Sequence, residues 1–379
     1  MGGESMKVPF FDLGSFVRGQ KPAVMSAIER VIDSGIYIGG EEVQRFEGEF
    51  AASVDAKHCV AVGNGLDAIR LLLEAHDIGP GDEVIVPGFS FYATWLAVLQ
   101  VGATPIAVDV KLEDASIDVT KINEAITTNT KAILVVHLFG ISADMKAING
   151  IAKSHNLLVF EDCAQAHNGK TNAGPVGNSS DGGAFSFYPT KNLGALGDAG
   201  AITLNDSVVL QKLRSRRSYG VGSNKYEHVD TGWNTRLDPI QAAILSTLLP
   251  GLQEVTERRV QIAEQYASVI ADPNNQLVRT SRIDENVFHH FVVRARSRSD
   301  FQRAMHDQNV MTDIHYPYFF NALQPIRSKY AEIGAVLSPL PNSKRLADEV
   351  VSLPIGPWMT TSQISLVINA LSKIAKRGE

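Results

Sequence analysis

Short apolar runs alternate with helical patterns between about residues 57 and 205. Seven runs rich in β-branched and aromatic residues predict buried strands: HCVAVG (58–63), VIVPG (84–88), ATPIAVDV (103–110), AILVVHL (132–138), LLVFED (157–162), GAFSFY (183–188) and GAITL (200–204). Segments with helical periodicity lie between several of them, at 66–75, 94–100 and 146–153. This alternation predicts an α/β fold with a mostly parallel central sheet that carries helices on both faces.

The pattern changes after Leu237. It becomes helical from IQAAILSTLL to about residue 269, and FHHFVVRAR (288–296) then predicts a strand among further helices and loops. A chain of 379 residues is too long for one compact core. The sequence therefore predicts a large domain over residues 1–250 and a smaller C-terminal α+β domain over residues 251–379.

Composition narrows the class of protein. Hydrophobic residues make up 44% of the chain and charged residues 20%, as in ordinary globular proteins. The net charge of -6, without a long basic run, argues against nucleic-acid binding as the main task. Cys59 and Cys163 lie in apolar segments and are expected to be reduced and buried. No apolar run approaches the roughly 18 residues of a membrane span. We expect a soluble cytoplasmic protein whose first residues, MGGES, form an unstructured leader.

Two strand ends carry polar motifs. VGNGLDAIR (62–70) runs from a strand through Gly63 and Gly65 into a helix, a pattern that suits anion binding by backbone amides but also suits an ordinary glycine turn. EDCAQAH (161–167) places two acids at the end of the fifth predicted strand, LLVFED (157–162). An aspartate there could cap a helix, ligate a metal or pair with the ring nitrogen of a cofactor. Metal binding is the least favoured, because no clustered histidines or cysteines accompany the motif.

A third motif is SFYPTKNLGALGDAGAI (186–202), which places Lys191 in a glycine-rich loop after a strand. A lysine in a partly desolvated pocket can act as a neutral nucleophile and form a Schiff base. Phe91, in PGFSFYATW (87–95), is available to cover one face of a cofactor ring, although on local evidence alone ordinary core packing is the favoured explanation. Together the motifs supply an amide nest, a carboxylate, a lysine and an aromatic ring, which are the parts that pyridoxal 5'-phosphate (PLP) chemistry needs.

The ordered series GNG, PGFSF, EDCAQAH, SFYPTKNLGALGDAGAI and GWNTRLDPIQAAIL resembles the DegT-type nucleotide-sugar aminotransferases, a branch of the fold-type I PLP enzymes. The resemblance extends from VPFFDL (8–13) and SGIYIGGEEVQRFEGEFA (34–51) to IHYP (314–317). It implies that Lys191 forms the internal Schiff base and that Asp162 pairs with the pyridinium nitrogen. It also implies a set of cofactor contacts: Gly65 and Leu66 amides and the Ser186 hydroxyl on the phosphate, Phe91 on the ring face, and Gln165 at the ring hydroxyl.

The resemblance further implies an obligate homodimer with shared active sites. Asn234, in GWNTR, would reach the phosphate bound by the neighbouring subunit, and Tyr188, His315 and Tyr316 would contact the sugar or the nucleotide. The reaction implied is transfer of an amino group from glutamate to a nucleotide-linked keto sugar. The loop after Lys191 looks most like that of enzymes acting at C3 of a dTDP-linked 3-keto-6-deoxyhexose.

Alternatives remain at this point. The same chemistry could act on a 4-keto sugar or on a UDP- or GDP-linked one. A dehydratase branch of the family has histidine where this chain has Lys191, so transamination is favoured. A desulfurase is disfavoured, because neither cysteine lies on a loop placed to receive sulfur. A non-enzymatic sensor or regulator is disfavoured as well, since the lysine and the aspartate are both present and no DNA-binding segment is visible.

Overall fold

The seven predicted strands form one central sheet. The computed structural model describes residues 7–224, 226–270, 278–279 and 285–375, so the predicted N-terminal leader lies outside the described residues. The strand order across the sheet is β1-β9-β8-β5-β4-β2-β3. The strands are β1 His58–Val62, β2 Glu83–Pro87, β3 Thr104–Val108, β4 Thr130–Val136, β5 Leu158–Asp162, β8 Gly182–Ser186 and β9 Gly200–Leu204, with the small hairpin β6 Lys170–Thr171 and β7 Gly174–Pro175 between β5 and β8.

Most of this sheet is parallel. Strand β2 pairs in parallel with β3 and β4, β4 with β5, and β5 with β8, whereas β9 runs antiparallel to both β1 and β8. Residues on both faces of the parallel strands are buried, which explains why these strands appear in the sequence as continuous apolar runs. The predicted fold class is confirmed.

The helices fill the connections. They are α1 Leu13–Ser34, α2 Glu41–Ser53, α3 Gly65–Ala75, α4 Tyr92–Gln100, α5 Ile122–Ala125, α6 Met145–His155, α7 Ser207–Arg216, α8 Pro239–Leu248, α9 Leu252–Ile270, α10 Arg298–Asp307, α11 Gln324–Glu332, α12 Pro341–Glu349 and α13 Thr361–Ala375. The helical stretch predicted after Leu237 is two helices, because Pro250 lies in a 3₁₀ turn between α8 and α9. Within the described residues, every helix is too short or too polar to cross a membrane.

A smaller antiparallel sheet follows near the C-terminus. It consists of β10 Val278–Arg279, β11 Phe291–Arg294 and β12 Val350–Leu353. Its core joins residues of α9, α10 and α13, including Tyr266, Met305 and Leu371. Two segments cross the predicted boundary at residue 250: Val8 packs in this smaller core, and Phe320 and Tyr330 pack in the core of the central sheet. The boundary itself stays a prediction.

Four parallel strands bring polar residues to one edge of the central sheet. The carboxyl ends of β2, β4, β5 and β8 share that edge, where ligands of α/β proteins bind. Asp162 is the last residue of β5 and Ser186 is the last residue of β8. The segment after β2 leads to Ser90 and Phe91, and Lys191 follows β8 within the same loop region.

Candidate active site

A cavity of about 590 Å³ lies at this edge. Of the predicted site residues all but Asn234 line it, namely Gly65, Leu66, Phe91, Asp162, Gln165, Ser186, Tyr188, Lys191, His315 and Tyr316. They come from five separate segments of the chain, from residue 65 to residue 316. The fold therefore gathers into one cavity the motifs that the sequence presents far apart.

The glycine motif forms a tight cradle at the start of α3. The side chain of Asn64 accepts a hydrogen bond from the amide of Asp67 at 2.8 Å and so caps the helix. A Cβ atom on Gly65 would lie 2.6 Å from Cβ of Ser186, closer than real Cβ atoms approach a neighbour. The first amides of a helix have no acceptor within the helix and favour anions. The Gly65 and Leu66 amides beside the Ser186 hydroxyl thus fit a phosphate group.

Asp162 lies at the base of the cavity and is 6% exposed. Its Oδ2 accepts a hydrogen bond from Thr94 Oγ1 at 2.8 Å, and its Oδ1 accepts one from the amide of Ala164 at 3.2 Å. Burial raises the pKa of the Asp162 carboxyl, and these two donors and the charge of Lys191 oppose that rise. A carboxylate has about four acceptor positions. Two hydrogen bonds therefore leave acceptor capacity for a cationic N–H group in the cavity.

Lys191 lies in the loop between β8 and β9. Its backbone amide donates to the carbonyl of Tyr188 at 2.8 Å. A Cβ atom on Gly194 would lie 2.5 Å from the carbonyl oxygen of Pro189, so the loop folds back on itself only with glycine there. Desolvation by the surrounding protein lowers the pKa of the Lys191 amine to about 8, and the Asp162 carboxylate opposes this shift. A substantial neutral fraction near neutral pH is what a nucleophilic amine requires.

Gln165 has a defined orientation. Its Oε1 accepts from the backbone amide of Phe139 at 2.7 Å, and a backbone N–H can only donate, so the side-chain nitrogen is the atom that faces Tyr316. Gln165 Nε2 donates to Tyr316 Oη at 2.9 Å. Burial raises the pKa of the Tyr316 phenol, which keeps the phenol neutral. Gln165 therefore presents a hydrogen-bond donor on the cavity side.

Three histidines form a row along one wall. The ring centroids of His289 and His290 lie 4.1 Å apart, and those of His290 and His315 lie 3.8 Å apart with nearly parallel planes. Burial lowers the pKa of all three imidazoles, that of His315 to about 4 although Asp313 opposes the shift. The row is therefore neutral at physiological pH. Only His315 was assigned from the sequence, and the other two were covered by the prediction of a strand over residues 288–296.

The aromatic residues lie at the cavity rim. Phe91 is 54% exposed, so the alternative of ordinary core packing is wrong. Its ring lies 5.3 Å from that of Tyr316 at 41°. Tyr188 is also half exposed and lines the cavity. Stacking of Phe91 on a cofactor ring and substrate contacts by Tyr188 stay predictions.

Asn234 lies outside the cavity. It is exposed, and its backbone forms an isolated β-bridge with Ser218. Its predicted contact with a neighbouring subunit stays a prediction, as does the homodimer.

The surroundings of the EDCAQAH motif differ from the prediction. No histidine or cysteine cluster was expected beside it, but the fold brings His137 next to Glu161 and Cys163, with their potential ligand atoms all within 4.8 Å of one another. The Glu161 oxygens are already acceptors for His137 and for donors at residues 177–180. This arrangement is a hydrogen-bonded cluster, and Glu161 points to the face of β5 opposite that of Asp162. His137 and Glu161 lie 24 residues apart in the sequence, so no local pattern relates them.

The fold and this cavity define an aminotransferase. Residues 20–372 match the DegT/DnrJ/EryC1/StrS aminotransferase family. The chain is 45% identical to the dTDP-3-amino-3,6-dideoxy-alpha-D-galactopyranose transaminase of Aneurinibacillus thermoaerophilus, with 97% of this chain and 99% of the relative covered. It is 40% identical to the dTDP-3-amino-3,4,6-trideoxy-alpha-D-glucose transaminase of Streptomyces venezuelae, with 99% and 98% covered.

A solved structure agrees with these sequence relatives. The crystal structure of S. venezuelae DesV in complex with a ketimine intermediate superposes with a TM-score of 0.93 at 39% identity, covering 98% of this chain and 99% of that chain. The chain therefore belongs to the DegT/DnrJ/EryC1/StrS aminotransferase family and has the fold-type I architecture.

Proposed function

We propose that this protein is a PLP-dependent aminotransferase that moves an amino group from glutamate to a dTDP-linked 3-keto-6-deoxyhexose, in the biosynthesis of a deoxyamino sugar. The observation that carries the proposal is that Lys191, Asp162 and the Gly65–Ser186 cradle line one cavity. Relatives that are named as dTDP-3-amino-sugar transaminases match nearly the whole chain. Because these matches cover 97% and 99% of this chain, we assign the relatives' reaction class to it.

The cavity residues fit the cofactor part by part. The Gly65 and Leu66 amides and the Ser186 hydroxyl hold the phosphate at the positive end of α3. Asp162 pairs with the protonated ring nitrogen, and the Gln165 amide donates to the ring hydroxyl. Phe91 covers one face of the ring. When bound, PLP supplies an electron sink that stabilises negative charge at the carbon that loses its proton.

Lys191 has two tasks in this proposal. Its amine would hold the cofactor between turnovers, and the lowered pKa makes the neutral, nucleophilic form accessible near pH 7. Once released, the same amine moves the proton of the substrate carbon as a general base and acid. Asp162 would keep the ring nitrogen of the bound cofactor protonated, because a nearby carboxylate favours the cationic form of that nitrogen.

Borohydride reduction tests the lysine directly. We expect reduction of the purified protein to attach the cofactor to the peptide that contains Lys191, and Lys191→Ala to lose transamination. The control is Lys170→Ala, a change of an exposed lysine on β6 that lies outside the cavity, and it should leave labelling unchanged. Attachment to any other lysine contradicts the assignment.

The position of amination is the finer part of the proposal. A ketone at C3 lies one bond closer to the pyrophosphate than a ketone at C4, so the sugar must shift to bring the reacting atoms within about 3 to 3.5 Å. We expect single-turnover return of pyridoxamine phosphate to PLP to be faster with a dTDP-3-keto sugar than with its 4-keto isomer. Faster reaction of the 4-keto sugar, or of a UDP- or GDP-linked sugar, would contradict the proposed substrate. The assignment as an aminotransferase would still stand.

We propose a homodimer with composite sites. Two apolar surfaces support this assembly: the segment after α1, where Ile36, Tyr37 and Ile38 are each about half exposed, and the Asn234 segment, where Trp233 is 40% exposed. Large exposed apolar patches mark interaction surfaces. Mixing Lys191→Ala chains with Asn234→Ala chains should restore activity, because one of the two sites in a mixed dimer is intact. Failure despite demonstrated subunit exchange would place Asn234 in its own subunit's site. A cytoplasmic location stays a prediction.

A further inference from the structure

The Asp162 carboxylate is one end of a buried row of hydroxyl groups. Thr94 Oγ1 donates to Asp162 Oδ2 at 2.8 Å, and Ser90 Oγ lies 2.9 Å from Thr94 Oγ1. Thr94 is fully buried and Ser90 is 2% exposed. Both hydroxyls come from the segment that follows β2, whereas Asp162 is the last residue of β5.

Elementary chemistry gives this row a direction. An ionised carboxylate only accepts hydrogen bonds, so the single hydroxyl proton of Thr94 is used on Asp162. Ser90 must then donate its own proton to Thr94. Both hydroxyl dipoles therefore point their positive ends toward Asp162, and hydrogen bonds in such a row strengthen one another in a buried, low-dielectric site.

The hydroxyl of Thr94 is not used by its own helix. Thr94 lies in the first turn of α4, whose N-cap residue Phe91 provides no side-chain acceptor. The Thr94 backbone amide donates to the Phe91 carbonyl, while the side chain turns to Asp162 instead. A valine would fill the same volume as Thr94. Packing alone therefore does not require the hydroxyl group, and the hydrogen bond to Asp162 does.

Two opposing effects act on Asp162. Burial raises the pKa of its carboxyl, and the Thr94 hydrogen bond is the largest effect that lowers it, followed by the Ala164 amide and the charge of Lys191. The Ala164 donor is backbone. Thr94 therefore provides the side-chain hydrogen bond through which the sequence can adjust this balance.

We propose that Ser90 and Thr94 form a positioning relay that keeps Asp162 ionised and aimed at the ring nitrogen of the cofactor. This inference rests on the proposed function. Neither residue touches the reacting atoms in this scheme. They act on the reaction through Asp162, whose negative charge maintains the electron sink.

The relay can be tested without cofactor. The experiment measures the free energy of unfolding of the cofactor-free full-length chain from pH 4 to 8, for wild type, Thr94→Val and Thr94→Ser, each also in an Asp162→Asn background. The folded pKa of Asp162 is raised, so its ionisation costs stability as pH rises from the unfolded value through the folded value. Removing the Thr94 donor raises the folded pKa further, so the loss caused by Thr94→Val should grow as pH rises. Thr94→Ser keeps the donor, so it should follow the pH dependence of wild type with a constant offset from the loss of one buried methyl group.

The Asp162→Asn background distinguishes a relay from simple packing. There the effect of Thr94→Val should not change with pH, because no carboxylate is left to ionise. A pH-independent loss in both backgrounds overturns the relay. If Thr94→Val does not fold, Ser90→Ala carries the test: it should show a smaller change of the same sign, and an unchanged pH profile for this variant overturns the relay.

Activity supplies the second measurement. In the half-reaction with glutamate, Thr94→Val should lower kcat about ten- to hundredfold, the range expected for a hydrogen bond to a charged group, while KM for glutamate stays within about threefold. Thr94→Ser should restore most of the rate. Equal kcat in Thr94→Val and wild type overturns the relay. If borohydride does not label Lys191, the proposed function fails, and the cofactor-free experiment still gives its own answer.

Discussion

Glu161 and Asp162 are neighbours on β5, yet the two carboxylates lie in opposite kinds of environment. Glu161 is fully buried and accepts hydrogen bonds from His137 Nε2 at 2.9 Å and from the amides of Gly177 and Ser179 at 3.0 Å each. The amide of Ala143 donates to the other ring nitrogen of His137, which places the proton on Nε2 and makes the histidine a donor to Glu161. Ser180 provides a further donor at 2.8 Å.

Asp162, one residue later, faces the cavity with two hydrogen bonds and spare acceptor positions. Successive side chains of a strand point to opposite faces, so the two acids cannot share a site. A buried carboxylate that is saturated with donors stabilises a fold, whereas one that is left partly unsatisfied beside a cavity is available to a ligand. The comparison predicts that the two acids can be separated experimentally.

The largest expected effect is on catalysis through Asp162. Asp162→Asn preserves shape and removes the charge, so the transamination rate should fall roughly a hundred- to a thousandfold, as when a preorganised electrostatic group is lost. Single-turnover kinetics with glutamate measures this. The matched control is Glu161→Gln, which should keep the rate of the folded enzyme within about threefold. Near wild-type turnover in Asp162→Asn contradicts the role of this carboxylate.

The next effect is on stability through Glu161. Glu161→Gln replaces an acceptor oxygen by a donor nitrogen opposite buried donors, which should lower the free energy of unfolding by about 3 kcal/mol. Chemical denaturation of the cofactor-free chain measures it. Asp162→Asn should lower stability by much less than this. At pH values above the pKa of Asp162 it should even increase stability, because burial disfavours the charged carboxylate. Equal losses in the two variants would remove the distinction between the two acids.

A smaller effect concerns Lys191 and pH. Its pKa is lowered to about 8 in the folded chain against 10.5 in the unfolded chain, so the folded state holds fewer protons between these values. Stability therefore rises as pH increases through this window. Lys191→Met should stabilise the cofactor-free protein at pH 7 by about 2 kcal/mol, allowing for partial exposure, and by less at pH 10. A pH-independent difference would show that the amine is not desolvated.

The smallest expected effect is at the phosphate cradle. Gly65→Ala should weaken binding of pyridoxamine phosphate about tenfold, because the added Cβ displaces Ser186, and small overpacking changes cost about 1–3 kcal/mol. Equilibrium titration of the cofactor-free protein measures this. Gly48→Ala is the control, since a Cβ there meets no atom within 4 Å. Equal affinity in both variants would exclude the cradle as the phosphate site.

The sequence predicted the central sheet well because its strands are buried on both faces and read as continuous apolar runs. It also predicted the cavity residues whose motifs follow strand ends. What it missed depends on contacts between distant segments. The pairing of His137 with Glu161, the hydrogen bond from Thr94 to Asp162, and the stacking of His290 on His315 join residues that no local pattern relates. The interruption at Pro250 does have a local signal, because proline cannot continue a helix.

The antiparallel pairing of β9 with β8 has a consequence for how the site assembles. Ser186 is paired with Gly200, so the Lys191 loop closes between neighbouring strands and needs little loop-closure entropy. The Gly65 cradle needs contacts between residues more than a hundred positions apart, and β1 pairs with β9 over a similar separation. Local contacts form faster than distant ones. We expect the Lys191 loop to form early in folding and the Gly65 cradle to form late. A phosphate ligand would then bind only to the nearly complete fold and stabilise it.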